Sequence, residues 1–138
     1  MQIVAAVYIE DIELRQVPGP STRIDLRGVH FSMASPEPAP TTITPHLVVL
    51  IWCPPEHRGT GALEVVFRRQ GPDPSSEDGD AEPLARNAMP LQVEPGKFMQ
   101  QLVRPELDFE DYGTVEAHCR IDLGPVTVVP YTLLPPVS

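Results

Sequence analysis

The sequence predicts an all-β protein folded as a single antiparallel β-sandwich with seven to nine strands. Residues 114 to 123 alternate between apolar and polar side chains, the period of a strand with one buried face. Other short apolar stretches follow at the spacing of a sandwich. The chain has 18 prolines, which exclude long helices, and no proline-free stretch carries an apolar stripe of helical period. An eight-stranded barrel is the alternative fold.

The alternating stretch belongs to a predicted strand at 113–123. Its polar side chains, among them Glu116, His118 and Arg120, would face water or a partner. Its core-facing residues would be Val115, Ala117, Cys119, Ile121 and Leu123.

The first half of the chain begins with residues 2–9, which are apolar at nearly every position and indicate a strand that is buried on both faces or central in a sheet. Residues 10–21 are polar and predict a loop. A second strand is expected at 23–33, where the apolar alternation changes parity at Gly28. One extra residue reverses the two faces of a strand, so Gly28 is a candidate β-bulge.

The middle of the chain contains its most hydrophobic strand, predicted at 46–53 after a proline-rich loop at 34–45. A strand at 62–70 follows a short turn, and we expect these two strands to be antiparallel neighbours. Residues 71–85 predict a mobile acidic loop.

The second half of the chain completes one domain over residues 1–138. The connection at 104–112 should carry buried anchors. The remaining predicted strands lie at 86–93, 97–103 and 126–134.

The net charge of −9 and the pI near 4.7 limit the function classes. Nucleic-acid backbones and anionic membranes require clustered basic residues, so neither is an expected partner. The apolar N-terminus lacks the basic residues of a signal peptide and is too short to span a bilayer. We therefore expect a cytoplasmic protein.

The two cysteines, Cys53 and Cys119, both share parity with inward-facing residues of their strands. Strands facing each other across a sandwich could bring them within bridging distance. Buried free thiols are the other reading, and the expected one, because no secretion signal is apparent.

No residue pattern predicts a catalytic centre, a metal or a cofactor. The histidines, His30, His46, His57 and His118, lack metal-ligand spacing. A serine-nucleophile elbow, an EF-hand order and a glycine-rich phosphate loop are also lacking. The alternative is a small Cys/His-dependent hydrolase or metal-dependent enzyme with its site in the 53–60 loop, using Cys53 and His57.

Two aromatic side chains, Trp52 and Tyr8, lie opposite Cys53 and Ile9 on their strands. They would anchor a partner if their strand faces are exposed. They would be core residues if those faces are covered, which the apolar character of both strands favours. With His118, they are the candidate partner-binding residues.

The stretch from Leu107 to Leu123 resembles the late hairpin of immunoglobulin-like and fibronectin-like sandwiches, in which an aromatic packs in the loop and a glycine opens the next strand. Phe109 and Gly113 match this pattern, so the resemblance implies a sandwich of immunoglobulin-like or fibronectin-like type. Ala117 departs from it, because antibody domains have tyrosine two residues before the inward cysteine. The whole chain resembles a family of uncharacterised bacterial β-sandwich proteins, and this resemblance implies no activity.

These observations lead us to expect a non-catalytic interaction or accessory module. It would bind a protein partner through a sheet edge or end loops, with no cofactor. Self-association as a homodimer through an apolar sheet face is a second possibility. A carbohydrate-binding or virion-type sandwich is a further alternative, and a small-molecule ligand is not indicated.

Overall fold

The computed structural model describes residues 1–18, 22–70 and 83–137, and the regular structure in these ranges consists of β-strands. No helix of these residues has the length and apolar character needed to cross a membrane. The strands are β1 (Gln2–Ile9), β2 (Asp11–Gln16), β3 (Thr22–Arg27), β4 (Ser32–Ala34), β5 (Thr41–Ile43), β6 (His46–Trp52), β7 (Thr60–Arg69), β8 (Ala85–Gln92), β9 (Phe98–Val103), β10 (Leu107–Phe109), β11 (Gly113–Ile121) and β12 (Thr127–Leu134).

Two sheets form the body of the molecule. One has three strands in the order β1-β6-β9, and the other has five in the order β4-β12-β11-β7-β8. All pairs are antiparallel except β4 with β12, which is parallel. Side chains from both sheets share one core, so the predicted β-sandwich is confirmed.

The short pair β5 and β10 continues the three-stranded sheet past a break. Ile43 lies opposite Leu107 and Leu47 lies opposite Val103, which keeps one register across both ladders. Pro45, which lacks a backbone N–H, falls between β5 and β6. Leu107 and Phe109 of β10 are buried, as expected for anchors in the connection at 104–112.

The core consists of alternate residues along each strand. On β11, Val115, Ala117, Cys119 and Ile121 are buried, as the alternation predicts. Leu123 is 92 % exposed, so its predicted place in the core is wrong. The reason is that β11 ends at Ile121 and the chain turns through Asp122, whose φ is 51°.

A hairpin of β2 and β3, here called the arm, occupies much of the region predicted as a polar loop at 10–21. Its residues alternate, so the expectation of a loop over Asp11–Gln16 is wrong. One face carries two apolar cross-strand pairs, Ile12 with Leu26 and Leu14 with Ile24. Leu14 is 53 % exposed.

The arm's other face is charged. Arg27 is 2.8 Å from Glu13, and Arg15 forms a two-pronged ion pair with Asp25. These pairs are exposed and screened by water, so they stabilise the hairpin only modestly.

Gly28 is not a β-bulge, contrary to expectation. Asp11 lies opposite Arg27 and Tyr8 lies opposite His30, so no extra residue enters the ladder. The predicted strand at 23–33 instead divides into β3 and β4. Gly28 has a φ of 66°, and a Cβ there would lie 2.5 Å from the side chain of Glu10, so the position requires glycine.

The predicted pairing of the strands at 46–53 and 62–70 is also wrong. β6 pairs with β1 and β9, whereas β7 pairs with β11 and β8 in the other sheet. The connection through Pro54 and Pro55 takes the chain from one sheet to the other. Periodicity reports which face of a strand is buried and says nothing about its neighbours.

The described residues form twelve strands, more than the expected seven to nine. The additional strands are β2, which lies in the predicted loop at 10–21, and the three-residue strands β4, β5 and β10. Most of the predicted acidic loop at 71–85 lies outside the described residues. At its end, Leu84 donates its backbone N–H to Phe67 and packs against the core, and Ala85 begins β8.

Leu63→Ala and Leu123→Ala remove the same atoms from sites of opposite burial, 0 % and 92 % exposed. We expect Leu63→Ala to lower the free energy of unfolding by ~2–5 kcal/mol, because it leaves a core cavity. Leu123→Ala should change it by less than ~0.5 kcal/mol. Urea unfolding measures both, and equal losses would contradict the assigned core.

Candidate functional site

The outer face of the five-stranded sheet is charged. Glu64 lies 3.1 Å from Arg86 and 3.8 Å from Arg120, and His118 lies 3.5 Å from Glu116. His118, one of the predicted partner-binding residues, is therefore half-buried beside a carboxylate within this charged network.

The outer face of the three-stranded sheet carries no Asp, Glu, Lys or Arg side chain. Strand register defines its rows, because residues directly opposite each other in a ladder share a face. Its members, here called the uncharged face, are Gln2, Ala5, Val7, Ile9, His46, Val48, Leu50, Trp52, Phe98, Gln100 and Leu102, together with Val4, which has no partner in the ladder and is half exposed. Nine of these twelve are apolar, in a chain with 10 basic and 19 acidic residues.

The exposed apolar area of this face lies at its two edge strands. Phe98 on β9 is 62 % exposed, and Val4 on β1 is 50 % exposed. Val4 is the extra residue at a register shift between Ile3 and Ala5, which makes it a β-bulge. Trp52 lies between the edge strands, opposite Phe98 and partly exposed.

Trp52 and Tyr8, both predicted from the sequence as candidate partner-binding residues, differ in their exposure to solvent. Tyr8 is fully buried, its hydroxyl donates to the carbonyl of Val129 at 3.1 Å, and its ring centroid is 4.6 Å from that of Tyr131. Burial raises the pKa of Tyr8. Tyr8 therefore joins the two sheets in the core, while Trp52 is available at the surface.

The two cysteines are buried free thiols. Burial raises the pKa of Cys119 to about 12, so its thiol is protonated at neutral pH. The thiol of Cys53 donates to the carbonyl of Pro54 at 3.6 Å. His57 Nδ1 accepts the backbone N–H of Gly59 at 2.9 Å, and so stabilises the turn rather than activating Cys53.

A cleft of about 450 Å³ is lined by residues of β1, β4, β5, β6 and β12 and of the segments between them. Among its lining residues, His30 Nε2 is 3.0 Å from the hydroxyl of Tyr131, and His30 Nδ1 is 2.6 Å from the carbonyl of Gly28. Burial raises the pKa of Tyr131 to about 12, so its hydroxyl stays protonated and can donate to Nε2. Nδ1 then carries the hydrogen that it donates to Gly28.

Both nitrogens of His30 are thus used within the protein, and Thr42 in the cleft wall donates its hydroxyl to Asp108 at 2.6 Å. These groups stabilise the joint between the sheets instead of converging on a ligand. No sequence signal could have identified the pair of His30 and Tyr131, because 101 residues separate them.

In the part of the chain that the structure describes, no three His, Cys, Asp or Glu residues are grouped to hold a metal ion. Comparison of the chain with protein-family models, curated proteins and solved structures finds no match. The uncharged face is the feature that departs most from an ordinary protein surface.

In the native protein, neither cysteine should react with a thiol reagent such as 5,5′-dithiobis(2-nitrobenzoate), because Cys53 and Cys119 are both 0 % exposed. After unfolding in urea, both thiols should titrate. A fast-reacting thiol in the native protein that Cys53→Ala removes would contradict this assignment and favour a Cys53-dependent enzyme.

Stability should fall in alkali. The pKa of Cys119 rises from 9.0 to about 12 on folding, so above pH 9 the unfolded chain loses a proton that the native protein keeps. The free energy of unfolding then decreases with pH by up to ~1.4 kcal/mol per unit for this group. Tyr131, shifted from 10.0 to about 12, adds to the decrease above pH 10.

Urea unfolding between pH 7 and 10.5 measures this dependence. Cys119→Ala should flatten the curve between pH 9 and 10, whatever it costs in absolute stability, while Leu123→Ala should keep the wild-type slope. An unchanged slope in Cys119→Ala would contradict the assigned cause.

Proposed function

We propose that this chain is a non-catalytic interaction module that binds a protein partner through the uncharged face. One observation carries the proposal: the outer side of the three-stranded sheet has twelve side chains and no Asp, Glu, Lys or Arg among them, with Phe98 62 % and Val4 50 % exposed. Exposed apolar surface of this kind marks sites of protein association.

The composition of the face suits recognition. Trp52 and Phe98 lie side by side on β6 and β9, and aromatic side chains supply large contact area with little loss of conformational freedom. Burying one large apolar side chain fully contributes ~1.5–3 kcal/mol. These two residues are therefore the proposed anchors, with Leu50 and Leu102 completing the contact.

The opposite outer face is poorly suited to the same role. There, Glu64 is paired with Arg86 and Arg120, and Glu116 lies beside His118. A partner would have to remove water from these charges, which costs more than their interaction returns. Two faces of one sandwich thus differ in function through their side chains alone.

The chemistry of the partner follows from the charge distribution. The chain carries a net charge of −9, and none of its charged residues lies on the uncharged face. A partner that presents an apolar patch and carries a net positive charge would be attracted by the net charge of this chain and would bury no charge at the centre.

We also propose that the sandwich is immunoglobulin-like, in line with the resemblance of the region around Phe109 and Gly113. Strands β1-β6-β9 and β12-β11-β7-β8 follow the orders A-B-E and G-F-C-C′ of that pattern. Strand D has no counterpart among the described strands. Such sandwiches commonly serve as binding modules, which supports the proposal by analogy only.

Val4→Lys and Val128→Lys form a matched test, because the two valines are 50 % and 45 % exposed on opposite outer faces. Wild-type protein and both variants are immobilised and incubated with extract of the native cell, and retained proteins are quantified. We expect a partner retained by wild type and Val128→Lys to be lost, at least tenfold, with Val4→Lys.

Binding of the purified partner by calorimetry should then show the same order of affinities. Retention that is equal for all three proteins, or that Val128→Lys alone abolishes, would overturn the assignment of the face. Circular dichroism and urea unfolding verify that both lysine variants are folded.

A further inference from the structure

The free edge of β9 presents unpaired backbone groups at known positions. The backbone N–H of Cys53 donates to the carbonyl of Lys97 at 3.0 Å, in the register that β6 and β9 share. Hydrogen-bonded pairs alternate along an antiparallel ladder. Met99, Gln101 and Val103 therefore bond to β6. The residues that direct N–H and C=O away from it are Phe98, Gln100 and Leu102.

The edge of β8 shows how this protein protects a strand. The N–H of Val93 donates to the carbonyl of Gly59 at 2.7 Å, so the same alternation directs the backbone at Arg86, Ala88 and Pro90 outward. An N–H at position 90 would point away from β7, so proline occupies this position without removing a hydrogen bond between β7 and β8. Proline and charge on an edge prevent unwanted strand pairing.

The other sheet edges are protected differently. β1 is interrupted by the bulge at Val4, and near its end the carbonyl of Tyr8 accepts the N–H of His30 at 3.0 Å. β4 has only three residues, and Pro130 lies on the part of β12 that β4 does not cover.

β9 has none of these protections. Its six residues contain no proline and no charge, and they pair with β6 without a register shift. Among the described residues, no strand pairs with its other side. At that edge, the side-chain amide of Gln101 donates to the carbonyl of Leu102 at 3.5 Å, a long bond that a strand could displace.

We propose that β9 is a self-association edge, at which a second copy of this chain adds its own β9 in antiparallel orientation to form a continuous six-stranded sheet. A twofold axis perpendicular to the sheet keeps the two uncharged faces on the same side. Side chains opposite each other across the new pair must then lie on the same face, so their residue numbers are both even or both odd. Gln100 lies on the axis, opposite Gln100 of the second copy, and Phe98 lies opposite the second copy's Leu102.

This register is self-complementary in three respects. The outward backbone groups of Phe98, Gln100 and Leu102 meet their counterparts as hydrogen-bonded pairs. The apolar side chains of Phe98 and Leu102 become cross-strand neighbours. The two glutamine amides can bond to each other, since each both donates and accepts.

The charges around β9 favour a second copy as the occupant. The strand itself is uncharged, so two chains of net charge −9 can meet there without opposing carboxylates. Lys97 and Arg104 flank it with opposite parity, so they lie on opposite sides of the sheet. Lys97 is also paired with Glu94 at 2.9 Å. The dimer unites two uncharged faces into one surface, beyond the single-copy binding proposed above.

Analytical ultracentrifugation of Gln100→Pro tests the proposal. Wild-type protein should approach twice the monomer mass of 15.2 kDa as its concentration rises. Gln100→Pro should stay monomeric, because it removes an outward N–H and costs β6 no bond. Ala88→Pro, the matched change on the edge of β8, should dimerise like wild type. A monomeric wild type, or dimerisation unaffected by Gln100→Pro, would overturn the proposal.

Hydrogen exchange gives a second readout without a substitution. The amides of Phe98, Gln100 and Leu102 should become protected as concentration rises, whereas those of Met99, Gln101 and Val103 should be protected throughout. Raising the salt concentration should strengthen the dimer, because it screens the net charge. Fast exchange at Gln100 in any dimer that forms would show that it uses another surface.

The two proposals fail separately. Val4→Lys lies on β1 at the far edge of the same sheet, so it should abolish partner retention and leave the dimer intact. Gln100→Pro should abolish the dimer, and it is scored by mass alone, because Gln100 is itself a member of the uncharged face. Loss of both properties in both variants would indicate misfolding, which urea unfolding of each variant detects.

Discussion

The packing of one row of side chains from each sheet against the other is the interaction on which this structure depends. Leu47, Val49 and Ile51 on β6 share a core with Val115 and the other inward residues of β11. Because strand residues alternate, fixing the inward row also fixes the outward row. The same register decides which backbone groups remain free at a sheet edge. Core, binding face and edge chemistry are thus three consequences of one alternation.

The sequence predicts the buried face of a strand where its alternation is strongly apolar. The alternation of 113–123 identified four inward residues of β11, although Leu123 lies beyond the end of the strand, and the weaker alternation of β2 was not recognised as a strand. The apolar runs located β1 and β6, but β1 is an edge strand with Val4 half exposed, so the expectation that it is buried on both faces or central in a sheet is wrong. The sequence could not predict sheet partners, since β6 and β7 are adjacent in the chain yet lie in different sheets. The uncharged face joins residues of three strands, including Val4 and Phe98, and required their register.

Charge is divided among the surfaces rather than spread evenly over them. The arm balances Asp11, Glu13 and Asp25 against Arg15, Arg23 and Arg27 within one hairpin. The outer face of the five-stranded sheet pairs its carboxylates with arginines and a histidine. Ion pairs at the surface contribute little to stability, so this arrangement matters mainly for recognition. It leaves one broad surface on which burial requires no charge to be desolvated.

The comparison of β8 with β9 supports a role for the free edge of β9 that the amino-acid composition of β9 alone would not indicate. A proline in a strand is tolerated only where its missing N–H would have faced outward, and Pro90 occupies such a position. Gln100 has the corresponding position on β9, where the backbone could accept a proline equally well. An edge that could be blocked at no cost to its ladder, and is left open and uncharged, has the properties of a pairing surface. The residues whose backbone groups are free at this edge include Phe98 and Leu102, whose side chains belong to the uncharged face. Pairing of two β9 strands would therefore join the uncharged faces of two copies into one larger binding surface.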